Sequence, residues 1–149
     1  DTSEELELHG QNLEFRDLGD KIGTASALKM CYASQTKGTT ALWLHSIITA
    51  QSLGVLDALR NEWTSSHPPL WGRMEDNLPT VPHRAGRWIS EMKEIALTME
   101  GIGLAPDVFE GAAAMYELVD AVFNQKGYSE GPPILELLTM IENHLHDHN

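Results

Sequence analysis

Cysteine is nearly missing from this chain: Cys31 stands alone among 149 residues. No disulfide can therefore close within it, and a reducing compartment, the cytoplasm, is the expected setting. Basic residues are scarce as well, ten Lys and Arg against 22 Asp and Glu, for a net charge of -12. Nucleic-acid binding needs a basic face to displace counterions from phosphates, so that class is excluded, and so is adhesion to an anionic membrane surface. Long apolar runs are lacking too. The best stretch, residues 41–50, contains His45 and falls well short of the roughly 20 residues of a membrane span. No signal-peptide pattern is read at the start, which is Asp1 rather than Met.

Motifs with fixed chemistry are also missing. There is no nucleophile elbow and no glycine-rich phosphate loop. Gly101-Ile-Gly lies between two expected helices rather than after a strand, so it does not read as a dinucleotide turn. No metal is expected: His144, His146 and His148 sit two apart, which on a helix spreads them over different faces, as a solvated tail would be. On these motifs the chain has no cofactor site of its own.

What is present is helical periodicity. The 42% hydrophobic and 21% charged content suits one globular domain with a real core. Helices are expected over 24–52, 55–65, 70–78, 84–100, 107–124 and 134–146, with a weak strand signal over 12–18. The fold class is therefore all-α, built on one long central helix. Residues 1–19 form a lead-in or domain junction, and 20–149 the helical domain. In the long helix Ala25, Leu28, Tyr32, Leu42, Trp43, Ile47 and Ile48 are expected inward, with Thr24 or Asp20 as cap and Gly54 as stop. Gly38-Thr-Thr in its middle marks a close packing contact or a bend. Cys31 reads as a buried structural thiol.

Two segments carry chemistry. In the first, Ser26, Lys29, Ala33, Thr36 and Thr40 share one helical stripe, flanked by Tyr32. A lysine partly desolvated beside hydroxyls can transfer protons near neutrality, whereas one that snorkels from a helix edge does nothing of the kind. In the second, Arg84, Arg87 and Glu91 lie on one side of the 84–100 helix, with Arg87 and Glu91 at ion-pair spacing. Two arginines in so acidic a chain suit a phosphate or carboxylate, or else surface salt bridges.

Ile22-Gly-Thr-Ala-Ser-Ala-Leu-Lys-Met-Cys-Tyr-Ala, followed by Thr36-Lys-Gly-Thr-Thr-Ala-Leu, resembles the start of the C-terminal domain of 6-phosphogluconate dehydrogenase-like proteins. These belong to the 3-hydroxyacid dehydrogenase superfamily, and the likeness is to the branch whose C-terminal domain has no known function. Arg87-Trp-Ile-Ser-Glu-Met-Lys-Glu-Ile-Ala resembles a later helix of the same domain, and the likeness spans about 13–123. The resemblance implies a helical domain that supplies a catalytic lysine, shapes a small-molecule pocket and forms a homodimer. It implies an N-terminal Rossmann domain for NAD or NADP, with 12–19 matching that domain's last strand. Lys29 matches the catalytic lysine by its Gly-Xaa-Xaa-Ser-Xaa-Leu-Lys setting. The implied lining is Ser26, Tyr32, Thr36, Arg84, Arg87 and Glu91. Two positions depart from the family pattern. Ala33 stands where an asparagine is usual, and Thr36 where the gluconate enzymes have a glutamate, so 6-phosphogluconate is a poor substrate candidate. The expected function is thus an excised or stand-alone C-terminal substrate and dimerisation domain without a complete NAD(P) site. A second reading is a cofactor-free cyclase or isomerase of small-molecule biosynthesis reusing the helical pocket, and a third is a structural module.

Overall fold

The computed structural model describes residues 17–123 and 131–147, and within them every regular element is a helix. They are α1 (Thr24–Ser52), α2 (Leu56–Ser66), α3 (Pro69–Asn77) continued by a 3-10 turn (Leu78–Thr80), α4 (Ala85–Glu100), α5 (Asp107–Phe123) and α6 (Ile134–Asp147). The all-α reading holds, with boundaries within two residues of expectation. The strand expected over 12–18 and the junction over 1–19 lie largely outside the described residues; Asp17 to Gly19 carry no strand. His148 and the end of the 107–124 helix lie outside them as well. Among the described residues no helix is long and apolar enough to cross a membrane.

α1 is the spine. It opens at Gly23, whose φ of 90° is left-handed, and no side chain caps it. Thr24 and Asp20 therefore do not cap the helix: the Thr24 hydroxyl donates back to the Lys21 carbonyl at 2.8 Å. At the other end the sequence reading holds. Gly54 takes φ 69°, its N–H donates to the Gln51 carbonyl at 3.0 Å, and the Val55 N–H reaches the Ala50 carbonyl at 2.8 Å. That pair of bonds satisfies carbonyls the helix would otherwise leave orphaned, and glycine is the residue that enters the left-handed region without strain. Gly103 ends α4 in the same way, with φ 86° and a Leu104 N–H to Met99 carbonyl bond of 3.0 Å.

α4 and α5 form the antiparallel hairpin that α1 lies across, and α6 closes the far end of the spine. Trp88, Met92 and Ile95 of α4 pack with Ala112, Ala113, Met115, Tyr116, Val119, Val122 and Phe123 of α5 in one core. Spacings of three and four residues put each set on one face. At Gly38 α1 packs tightly on α5: a Cβ there would lie 3.1 Å from Phe109 Cε1, so the glycine marks a packing contact, not a bend. α2 and α3 are clipped to one another by rings. Trp63 and Trp71 stand 6.5 Å apart, Arg60 lies 4.9 Å over Trp71, and Trp71 Nε1 donates to Glu75 at 2.5 Å.

The first third of α1 departs from expectation. Its buried face begins only at Ala33 and continues through Thr40, Ala41, Leu44, Ile47, Ile48 and Ala50. Tyr32 is 71% exposed, and Leu28 and Leu42 are exposed as well. Cys31 is exposed too, so it is not a structural core thiol. The periodicity is real, but among the described residues nothing packs on that side of the helix.

The α4 assignment makes a direct test. Ile95 is fully buried and Leu97, two residues on, is 67% exposed. Replacing Ile95 by Ala should lower unfolding free energy by about 2–5 kcal/mol in urea titrations, while Leu97→Ala stays within about 0.5 kcal/mol.

Candidate functional site

Where α1, α4 and α5 meet, a lysine is held under an aromatic lid. The Tyr116 hydroxyl of α5 donates to the Lys37 backbone carbonyl of α1 at 2.5 Å, joining elements distant in sequence. Tyr116 is fully buried, and its ring stands edge-on to Trp88 of α4 at 5.2 Å and 71°. That geometry sets the positive ring edge against the negative ring face. Lys37 is fixed in turn, its Nζ 5.6 Å from the Trp88 ring centre and ion-paired with Glu91.

Glu91 is shared. Its other oxygen accepts Arg87 Nε at 3.5 Å, the i,i+4 pair expected from the sequence. Arg84 lies 5.9 Å over the same Trp88 ring. Arg84, Arg87, Trp88 and Glu91 share one face of α4 because their separations are three, four and seven residues. At the start of that helix Asp120 of α5 stands against Gly86, where an added Cβ would meet Asp120 Oδ1 at 3.0 Å. A carboxylate there complements the positive end of the helix dipole.

The environment shifts two groups. Burial holds the Lys37 ammonium below the usual lysine range, and the nearby charges of Arg87 and then Lys29 push the same way. Burial raises the Tyr116 phenol far above its ordinary value, with a backbone contact at Ala41 opposing this. Two cations, Lys37 and Arg87, thus share one carboxylate beside a third, Arg84, on the ring, and Lys37 is a lysine from which a proton is more easily drawn.

The residues expected from sequence divide into two groups. Arg84, Arg87 and Glu91 come together as described. Ser26, Lys29, Tyr32 and Thr36 lie on the exposed part of α1, toward its start. The hydroxyls expected around Lys29 are turned to their own helix: Thr36 donates to the Tyr32 carbonyl at 3.1 Å and Thr40 to the Thr36 carbonyl at 3.0 Å. Lys29 meets the cluster through its charge, felt at Lys37. Lys37 and Trp88 were missed as site residues. The available signal was a lysine eight residues after Lys29, next to the glycine where the helix must pack closely.

Apart from this cluster, a concavity of about 440 Å³ lies between α1 and the start of α5. Gly38, Ala41, Leu42, Val108 and Phe109 make it largely apolar, with His45 and Asp107 among its polar groups. Among the described residues no three His, Cys, Asp or Glu gather as metal ligands.

A family model described as a domain of unknown function, DUF1932, matches residues 50–119. That domain is known to follow the NAD-binding domain in 3-hydroxyacid dehydrogenase-like proteins. The matched stretch includes Arg84, Arg87, Trp88, Glu91 and Tyr116 but stops short of both α1 lysines. Among solved structures, a conserved hypothetical protein from Sinorhizobium meliloti 1021 is similar at 26% identity and a TM-score of 0.79 over 95% of this chain. The chain spans 48% of that protein's length. No curated protein matches.

The two shifted groups act oppositely on stability. Above about pH 10 an unfolded chain ionises its tyrosines while the folded chain keeps Tyr116 protonated, so stability falls with rising pH, at up to about 1.4 kcal/mol per unit. Just below the ordinary lysine value of 10.5 the unfolded chain binds the proton that folded Lys37 gives up, so this group makes stability rise with pH. Denaturant unfolding at a series of alkaline pH values should show Tyr116→Phe removing the falling contribution and Lys37→Met the rising one.

Proposed function

We propose that this chain is the helical, substrate-holding part of a 3-hydroxyacid dehydrogenase-like protein, with Lys29 as its proton-transfer residue. The carrying observation is the DUF1932 match, since that domain follows an NAD-binding domain in such proteins. The solved neighbour, about twice as long, is consistent with a further domain in relatives. NAD or NADP belongs to that other domain. A dinucleotide needs a glycine-rich strand-to-helix turn, and among the described residues there is none. The chemistry assigned to this chain is accordingly confined to binding an acid and moving a proton.

Exposure at the start of α1 favours this reading. Lys29 stands among Ile22, Leu28 and Tyr32, large apolar side chains that are all open to solvent. Apolar surface grouped around a candidate catalytic residue suits a face that a second domain or a second copy completes. There the Lys29 ammonium would be drawn out of water and set against the substrate hydroxyl, with which it exchanges a proton. Ser26, Tyr32 and Thr36 line the same side, and Arg84, Arg87 and Glu91 line the neighbouring one. A homodimer through α1 follows the same logic, with Leu28, Tyr32 and Leu42 as the apolar contact.

The test is turnover of short 3-hydroxyacids by the protein carrying its NAD-binding domain, followed as nicotinamide absorbance. Lys29→Met should lower kcat by about 10²–10⁴-fold, with Tm unchanged because nothing of the core rests on it. Turnover that survives the substitution would remove Lys29 from the mechanism.

A further inference from the structure

The charge around Trp88 is out of balance in a way the fold does not need. Three of the chain's ten basic residues, Lys37, Arg84 and Arg87, gather at one ring and one carboxylate in a protein whose net charge is -12. If the cluster served only to hold helices together, one cation for Glu91 would suffice, as Lys93 suffices for Glu117 at 2.7 Å elsewhere on the same hairpin. Here Lys37 and Arg87 compete for Glu91, and Arg84 rests on the ring of Trp88. Around Lys37 stand Glu91 and Arg87 of α4, Arg84 just before that helix and the neutral Tyr116 of α5. The Asp120 carboxylate of α5 stands close by, against Gly86, so three cations meet two carboxylates and the sum stays positive.

The arrangement is also prebuilt. The backbone of Lys37 is tied by the Tyr116 hydroxyl and its side chain is four-fifths covered. Trp88 is 7% exposed, and its Nε1 has no hydrogen-bond partner among the described residues. A buried donor left unbonded costs stability, and such atoms are concentrated where function keeps them. Arg87, by contrast, leaves 69% of its side chain in solvent, free to swing.

We propose that Lys37, Arg84 and Arg87 form a subsite for a compact anionic end of the ligand, a phosphate or a terminal carboxylate, with Glu91 as the internal anion from which Arg87 turns away on binding. This rests on the reading that the domain holds an acidic substrate, and it narrows that class to acids with a second anionic end. Lys29 and Lys37 are eight residues apart, about 12 Å along the helix axis. One ligand reached from both ends by side chains of that length carries its hydroxyl near Lys29 and its second charge near Trp88. Arginine supplies the paired donors that suit phosphate or carboxylate, and lysine the point charge.

The experiment titrates the chain with inorganic phosphate and, separately, with malonate at constant ionic strength, following the indole N–H of Trp88 by NMR. A saturable shift is expected with at least one probe, and which probe saturates tells phosphate from carboxylate. Lys37→Met and Arg87→Gln should each weaken binding about tenfold or more, as loss of a charged partner does. Lys93→Met should leave it unchanged. Arg87→Gln keeps the test valid if Lys37→Met does not fold, because most of that side chain lies outside the core. Non-saturating shifts with both probes, or equal binding by wild type and Arg87→Gln, would overturn the subsite. Such a result leaves the Lys29 reading standing, whereas loss of that reading alone would appear as turnover surviving Lys29→Met while both anions still bind.

Discussion

The fold depends on how a lysine backbone is carried across a helix junction. α1 is 29 residues long, and much of what it buries is small. Alanines bring little area to offset the entropy of ordering a helix. The Tyr116 hydroxyl on the Lys37 carbonyl adds a directional tie where Gly38 lets α1 approach Phe109. Because Tyr116 also stacks edge-on with Trp88, the same ring sets the spacing of α4 and α5. Three helices are thus registered by one side chain, and the charged groups above it inherit that register. Lys37 reaches Glu91 because its backbone is tied by Tyr116 and its stem can run along apolar surface to bring the ammonium over the Trp88 ring.

This placement explains why a charged group sits so near a core. Full burial of a Lys–Glu pair would lose more hydration than attraction restores. At 20% and 21% side-chain exposure both partners keep some water, and the aromatic face beneath Lys37 replaces part of what is lost. The arrangement is tolerable structurally without being neutral electrically. Lys37, Arg84 and Arg87 together carry more positive charge than Glu91 alone compensates.

Much of the fold was legible because α4, α5 and α6 each pack one face for their whole length. Their apolar residues then recur at three and four, and Trp88, Met92, Ile95 and Tyr116 fall where the period puts them. Gly54 was legible for the same kind of reason, since a helix stop needs a left-handed residue. α1 was legible in extent but not in facing. Leu28, Tyr32 and Leu42 obey the period, yet one chain offers them no neighbour, and periodicity records that a face is apolar without recording what covers it. The hydroxyls near Lys29 misled for a local reason: on a helix a threonine's nearest acceptor is its own carbonyl four residues back, so proximity in a stripe does not make a polar pocket. Lys37 was illegible because its role arises between helices. Only the partners Trp88 and Glu91, more than fifty residues away, turn an ordinary helical lysine into a constrained one.

The limits of the family match bear on how these parts divide. Residues 50–119 contain the arginines, Trp88, Glu91 and Tyr116, while Lys29, Lys37 and Gly38 lie before them. The matched portion can build the aromatic lid and present cations, but it cannot complete the site, because the tied carbonyl and the ammonium come from α1. Conversely α1 by itself holds an exposed lysine with its hydroxyls turned inward. Neither segment is a site alone. The cluster exists only where the two cross, and the crossing is set by a glycine packed tightly on Phe109 and a tyrosine buried between three helices.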